Sequence, residues 1–303
     1  MHHHEKFPPK RRSQPNRYLL EHFSADSIGK SKQDADAICK YHWKFYGDLV
    51  IQRYRALPAI KEALLSASEK DFPIEKWQRA MKYRWGNKPL SARGSLQDPG
   101  GRFNIGEIDT TRFPPFSGLY IASDKETSIQ EILLGSSPMM EQGGLTPYEL
   151  ALSNPASITV VSVSGNIETV INLQSRKSLK SFVEIINDFE IDKELSDIAK
   201  SLGLPPPKLV RTTEELMNAL LEKNWRQLPM FADVPSTSQI FGQLVMEAGI
   251  GGIIYPSVLT QKFCGVIFYI NFKDASSFIQ LDDTPPRDDI VQRVDANNWK
   301  GMV

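Results

Sequence analysis

Residues 118–134 read Gly118-Leu119-Tyr120-Ile121-Ala122-Ser123-Asp124-Lys125-Glu126-Thr127-Ser128-Ile129-Gln130-Glu131-Ile132-Leu133-Leu134. The first part alternates: Leu119 and Ile121 fall on one side of an extended chain, Tyr120 and Ala122 on the other. Ser123 with Glu126 has the spacing of a capping box, so a helix is expected to start directly after the strand. Along that helix Ile129, Ile132 and Leu133 form the core stripe, and Glu131 shares a face with Thr127 and Ser128 one turn earlier. Small polar neighbours leave space above the carboxylate. The segment therefore reads either as a solvated Glu on a helix face or as a carboxylate placed for chemistry.

Outward from this strand–helix unit, strand-like runs are expected at residues 158–163, 252–255 and 265–272. The last of these contains Gly265-Val266-Ile267-Phe268-Tyr269-Ile270, apolar on both faces, as in a buried strand. From residue 33 to 68, Ile38, Tyr41, Phe45, Leu49, Leu57, Ile60 and Leu64 recur at helical spacing, suggesting two or three helices broken near Gly47 and Pro58. A second helical patch spans residues 179–228, interrupted by Leu204-Pro205-Pro206-Pro207. Strands and helices interleave without a strict βαβ rhythm, so the class is α+β. The expected organisation is a flexible arm at 1–30 and a helical N-terminal extension at 31–75. A main domain at 76–280, with a helical insertion at about 175–230, and a C-terminal tail at 281–303 complete it.

Composition narrows the chemistry. The 303 residues are 41% hydrophobic and 24% charged with a formal net charge of zero, which argues against a nucleic-acid footprint. The basic cluster Lys10, Arg11 and Arg12 lies in a Pro-bearing leader and reads as a solvated tail. No apolar run reaches the roughly 20 residues that cross a bilayer, and the N-terminus lacks the apolar core of a signal peptide. Cys39 and Cys264, far apart in sequence, suit a reducing cytosol, so a cytoplasmic site of action is expected. Outside the leader the histidines are His22 and His42 alone. Cys39 and His42 could supply two metal ligands, but no second pair exists and no metal is expected. A Ser-His-Asp or Cys-His centre in the main body is excluded, so catalysis there rests on carboxylates, hydroxyls, arginines and aromatics.

Three further segments carry such groups. Lys82-Tyr83-Arg84-Trp85 places an arginine between aromatics, where its fork of donors can meet a phosphate or carboxylate; it also fits a surface arginine on an edge strand. Pro99-Gly100-Gly101-Arg102-Phe103-Asn104-Ile105-Gly106 combines paired glycines, which let a ligand approach the backbone, with Arg102 and Asn104 as polar contacts and Phe103 as an anchor. Gly-Gly is equally hairpin-turn chemistry, and the glycine spacing does not fit a dinucleotide-fold fingerprint. Gly251-Gly252-Ile253-Ile254-Tyr255-Pro256-Ser257-Val258 ends a buried strand in a proline and a hydroxyl. Without a histidine, Ser257 is a hydrogen-bonding group rather than a triad nucleophile.

The ordered set of these four segments resembles the RES domain, a family named for an arginine, a glutamate and a serine. Its members show an early Arg beside an aromatic, a Gly-Gly-Arg-Phe/Trp-Asn loop, a Tyr on a strand, a Glu on the next helix and a late Pro-Ser. Here these are Arg84, Arg102 within 100–104, Tyr120, Glu131 and Ser257. The stretch with Gln239 before Gly249 is similar to the helix that leads into the Pro-Ser strand. The likeness covers roughly residues 78–275. Trp85 stands where relatives often carry Tyr, and the stretch between Glu131 and Ser257 is longer than in compact members.

The resemblance implies an ADP-ribosyltransferase-like split mixed sheet and an NAD-degrading enzyme that cleaves the nicotinamide–ribose bond by hydrolysis or phosphorolysis. NAD is then a substrate, with inorganic phosphate as a candidate co-substrate. It further implies a bacterial toxin or effector held by an antitoxin or immunity protein; homo-oligomer formation is left open. Glu131 would stabilise the ribosyl cation, Arg84 and Arg102 would bind the pyrophosphate, and Tyr120 and Trp85 would wall the pocket. Ser257 would contact the nicotinamide ribose or amide, with Gly101 and Asn104 lining the loop. Two alternatives stay open: mono-ADP-ribosylation of a protein from the same pocket, and a non-catalytic NAD-binding or interaction module.

Overall fold

Two long strands, β1 (Glu69–Lys82) and β5 (Ile158–Asn172), run antiparallel against each other, from Glu69 opposite Val170 to Lys82 opposite Ile158. They close a ring of pairings in this computed structural model, which describes residues 25–134, 158–175 and 179–303. β1 also pairs with β4 (Leu119–Ala122), β4 with β7 (Phe263–Ile267), β7 with β6 (Gly252–Pro256), and β6 returns to β5. The β5–β6 pair is parallel and the other members of the ring are antiparallel, so the sheet is mixed and the class is α+β.

Alternation along each strand divides the side chains between two cores. One face carries Leu119, Ile121, Ile254, Ile267, Val163, Ile167 and Trp77. The other carries Ala122, Ile253, Tyr255, Cys264 and Val266, covered by helices. With both faces buried, the strands read as nearly continuous apolar runs, as 252–255 and 263–267 do. The covering helices are α1 (Ala25–Ala67), α3 (Lys180–Ile186), α5 (Thr213–Leu220) and α7 (Thr237–Glu247); the short α4 (Lys193–Ser201) packs on α1 through Leu195 and Ala199 against Tyr41.

Several boundaries differ from the sequence expectation. The N-terminal region is one helix of 43 residues that passes through Gly47 and Pro58, not two or three. An interior proline costs about 3 kcal/mol in a helix. Burial of Ile60 and Leu64, both 0% exposed, in the turns that follow offsets that cost by roughly 1.5–3 kcal/mol each. The helix already begins at Ala25, inside the stretch read as an arm; residues 1–24 lie outside the described residues. β1 was hidden because Glu69-Lys70-Asp71-Phe72-Pro73 lacks alternation, and a register shift between Ile74 and Trp77 breaks the period further. The run at 265–272 leaves the sheet after Ile267 and turns through a 3-10 helix at Tyr269–Asn271. Residues 281–303, expected as a C-terminal tail, pack onto the sheet. β8 (Phe278–Leu281) pairs with β5 and β9 (Arg293–Val294) with β8, while the backbone N–H of Ala92 donates to Met302 O at 2.8 Å. The helical patch after β5 divides as expected around the prolines, between α4 and α5, and ends in α6 (Gln227–Ala232). Among the described residues no helix is long and apolar enough to cross a membrane.

Because α1 is fastened by one face, Leu64→Ala is expected to cost about 2–5 kcal/mol in urea unfolding. Ile51→Ala, at a residue 54% exposed on the same helix, is expected to stay within about 0.5 kcal/mol. Equal effects at both positions would contradict this packing.

Candidate active site

The Gly-Gly segment forms a tight hairpin, β2 (Gly100–Gly101) against β3 (Asn104–Ile105), with Gly100 at φ +98°, a conformation that favours glycine. Asn104 organises it. Its Nδ2 donates to Ser95 O at 2.8 Å and Phe116 O at 2.9 Å, and its Oδ1 accepts from Gly101 N and from the Tyr120 hydroxyl, both at 2.9 Å. Tyr120 Oη in turn accepts from the Phe103 N–H at 3.0 Å. A Cβ on Gly101 would collide with the Tyr120 hydroxyl. The close approach that glycine permits is thus to a protein ring, not to a ligand, and Gly101 and Asn104 spend their polar groups inside the fold. Asn104 is 0% exposed with its amide fully bonded, so the expected ligand contact from that side chain is corrected.

Helix α7 clamps the same hairpin from behind. A capping box at Ser236 and Gln239 starts it, and Gln239, fully buried, donates through Nε2 to Pro99 O, Gly101 O and Asn104 O. Gly242 one turn on has no room for a Cβ, which would strike Phe103 O. Across the sheet, the buried Arg79 holds β4 by donating to Tyr120 O at 3.2 Å and Ser91 O at 2.7 Å, and burial lowers its pKa to about 10.

Arg102 projects from this hairpin. Its Nη1 donates to Leu220 O and Glu222 O, and its guanidinium carbon lies 5.9 Å from the centre of the Trp225 ring. Phe103 points the other way, fully buried and edge-on to Tyr255 at 4.9 Å.

Glu131 and Ser257 meet. Helix α2 (Lys125–Leu134) follows β4 as expected, but Asp124 rather than Ser123 receives the first-turn bonds, accepting the N–H of Thr127 at 2.9 Å and its hydroxyl at 2.8 Å. One face of α2 is then tied twice to the turn after β6: Thr127 Oγ1 to Thr260 Oγ1 at 2.9 Å, and Glu131 Oε1 to Ser257 Oγ at 2.6 Å. The small residues below the carboxylate face this turn instead of open space. Ser257, 0% exposed, donates its proton to Glu131 and accepts the N–H groups of Leu259 and Thr260. Its hydroxyl has nothing left for a ligand. Direct contact of Ser257 with a ribose or amide is therefore replaced by the holding of Glu131. Among the described residues the half-buried Glu131 has no partner for Oε2.

Arg84 and Trp85 lie apart from this pair. They form a 3-10 turn at the end of β1, Arg84 exposed and donating to Gln97 Oε1 at 2.8 Å, Trp85 packed on Gly94. Gln97 leads into the Gly100 hairpin through the bond from Gly100 N to Gln97 O, so Arg84 sits at the outer end of that loop.

Two residues passed over in sequence join the cluster. Arg226 lies 4.3 Å from the Trp225 ring centre and interacts electrostatically with Arg102, Tyr120 and Glu131; burial and then Arg102 lower its pKa. Tyr255 faces Glu131, Tyr120 and Arg102 from β6, and burial holds its hydroxyl protonated well above the ordinary range, as it does for Tyr120. The register explains why Tyr255 joins Tyr120: Tyr120 and Ile253 both pair with Val266, and Ala122 and Tyr255 both pair with Cys264, so all lie on one face. A depression of about 330 Å³ is bounded by Leu173, Gln174, Met217, Asn218, Leu221, Pro256 and Gln261. It borders Ser257 through Pro256 without including Glu131 or the arginines. Among the described residues no three His, Cys, Asp or Glu gather as a metal site.

A family model described as the RES domain matches residues 76–288, a span that holds Arg84, Arg102, Tyr120, Glu131 and Ser257. The chain belongs to the RES domain family. Among solved structures, one similar to this RES chain is the crystal structure of the M. tuberculosis MbcT–MbcA toxin–antitoxin complex, at 13% identity and a TM-score of 0.41 over 80% of this chain and 96% of that one. No curated protein matches the sequence. The RES span reaches into β8 and beyond, past the boundary near 280 expected from sequence.

Removing the Tyr120 hydroxyl strips Phe103 N–H and Asn104 Oδ1 of a partner. Tyr120→Phe is expected to destabilise the protein by about 1–3 kcal/mol, read as a lower Tm in the absence of any ligand. An unchanged Tm would contradict the role given to that network.

Proposed function

We propose that this RES-domain chain cleaves the nicotinamide–ribose bond of NAD, with Glu131 as the catalytic carboxylate. The observation that carries the reading is the 2.6 Å bond from Ser257 Oγ to Glu131 Oε1, which fixes one carboxylate oxygen and, among the described residues, leaves Oε2 without a hydrogen-bond partner, with Arg226 in electrostatic reach of the carboxylate. Rupture of the glycosidic bond builds positive charge on the ribose, and a carboxylate held in place stabilises that charge without reorganising as it develops. Arg102 serves the diphosphate. Its Nη1 is held by Leu220 O and Glu222 O, and its other donors remain for phosphate oxygens. Arg84, whose single side-chain bond goes to the exposed Gln97, exchanges that bond for phosphate at low cost and acts at the rim. Tyr120 and Tyr255 wall the site as neutral phenols, and Ser257 is a positioning residue.

The same cation can be captured by water, by inorganic phosphate or by a protein side chain, and only product analysis separates these outcomes. Free ADP-ribose identifies hydrolysis, phosphorylated ADP-ribose identifies phosphorolysis, and label on protein identifies transfer. Membership of the RES family supports a bacterial toxin that depletes NAD in the cytoplasm and is restrained by an antitoxin. Loss of cellular NAD on expression, relieved by a partner protein, is the measurement for that part.

Glu131→Gln retains an oxygen to accept the Ser257 bond and is expected to fold normally. It should lose about 10²–10³ in turnover, the roughly 2.7–4 kcal/mol typical of one electrostatic contact to a developing charge. Ser257→Ala leaves the carboxylate in place but unfixed, and a loss of about 10–100-fold is expected, with affinity for ADP-ribose little changed. A wild-type chain that consumes no NAD, or a folded Glu131→Gln that consumes it at the wild-type rate, would refute the assignment.

A further inference from the structure

The segment between β5 and α7, expected from sequence as a helical insertion, delivers Trp225 and Arg226 to the site. The turn after α5 is held by Arg102, whose Nη1 reaches Leu220 O at 3.4 Å and Glu222 O at 2.7 Å. The next residues are Trp225, 4% exposed, and Arg226, at the start of α6. Both guanidinium groups approach the one indole, Arg226 at 4.3 Å and Arg102 at 5.9 Å from its centre. Like charges gathered on one ring repel and call for an anion. Among the described residues, none makes an ion pair or hydrogen bond with the Arg226 guanidinium, and no carboxylate is within ion-pair distance of Arg102. Glu131 interacts with Arg226 electrostatically, without an ion pair between them. The Glu131 carboxylate is already engaged by Ser257.

We infer that Arg226 is a second arm of an anion clamp, which grips a diphosphate ester together with Arg102, Trp225 acting as the wall that orients both forks. This rests on the NAD reading for the identity of the ester, while the geometry asks only for an anion with two neighbouring phosphate charges. A guanidinium suits that ligand because it offers parallel N–H donors to two oxygens, and an indole face keeps the fork planar and weakly hydrated. The clamp also accounts for the long β5–α7 segment, which sets through Arg226 how tightly the diphosphate is held, whereas Glu131 acts on the ribose.

Calorimetric titration of the full chain with inorganic pyrophosphate and with ADP-ribose tests the clamp. Arg226→Ala is expected to weaken both by about 10–100-fold, the range for charge-assisted hydrogen bonds, and to raise KM for NAD more than it lowers kcat. Arg226→Lys, which keeps the charge and loses the fork, should fall between. Lys223→Ala, an exposed lysine on the same turn, should bind as wild type; an equal loss there would show a general charge effect and overturn the clamp. Should Arg226→Ala fail to fold, Arg226→Gln, which keeps the stem against Trp225, replaces it. Wild-type affinity for pyrophosphate in a folded Arg226→Gln overturns the proposal. A chain that binds pyrophosphate through Arg226 yet consumes no NAD keeps the clamp and loses the reaction. NAD consumption with an Arg226-independent affinity does the reverse.

Discussion

Asn104 holds the site's scaffold together, and it does so by having no bond to spare. Its amide bonds to Ser95 O, Phe116 O, Gly101 N and the Tyr120 hydroxyl tie the preceding loop, the hairpin and strand β4 into one body. Buried polar groups are expensive unless bonded, at roughly 1–3 kcal/mol for each one stranded, so a network in which every member is satisfied has only one low-energy arrangement. Gln239 binds three acceptors of the same hairpin from behind, and Gly101 and Gly242 let Tyr120 and α7 close on it. Arg102, flanked on both sides by this network, inherits its rigidity.

The Glu131 side of the candidate site is built differently. Glu131 stands on a helix that begins where β4 ends, and its place is set by the turn after β6, through the Thr127–Thr260 and Glu131–Ser257 contacts. Strands β4 and β6, both paired with β7, thus present the helix and the turn to each other. The Ser257 hydroxyl bonds here to the Glu131 carboxylate and to the backbone of its own turn. Such support fixes the direction of a carboxylate that would otherwise be free to swing on its helix.

Much of this was legible in the chain. The strand at 119–122, the helix after it, the separate positions of Tyr120 and Glu131, the strand ending in Pro256-Ser257 and the helical patch around the prolines follow from period, capping and punctuation. Strand β1 and the unbroken α1 did not, since one lacks alternation and the other overrides a proline by burying the residues beyond it. Arg226 carried no signal at all: a Trp-Arg pair in a polar turn is ordinary until Arg102 is seen to hold that turn.

What the sequence determined by itself was the stock of chemistry: no histidine beyond residue 42, one well-placed glutamate, arginines in glycine and aromatic settings, and an ordered motif set that belongs to the RES family. Tertiary structure alone decided how that stock is spent. It turned Asn104 and Gly101 inward, gave Ser257 to Glu131, left Arg84 exposed against Gln97 and brought Arg226 and Arg102 to one indole. The physical reason is that a hydrogen bond's partner is set by proximity across the closed sheet, as with Ser257 and Glu131 at 126 residues' separation, and spacing along the chain encodes only the contacts within one strand or one helical turn.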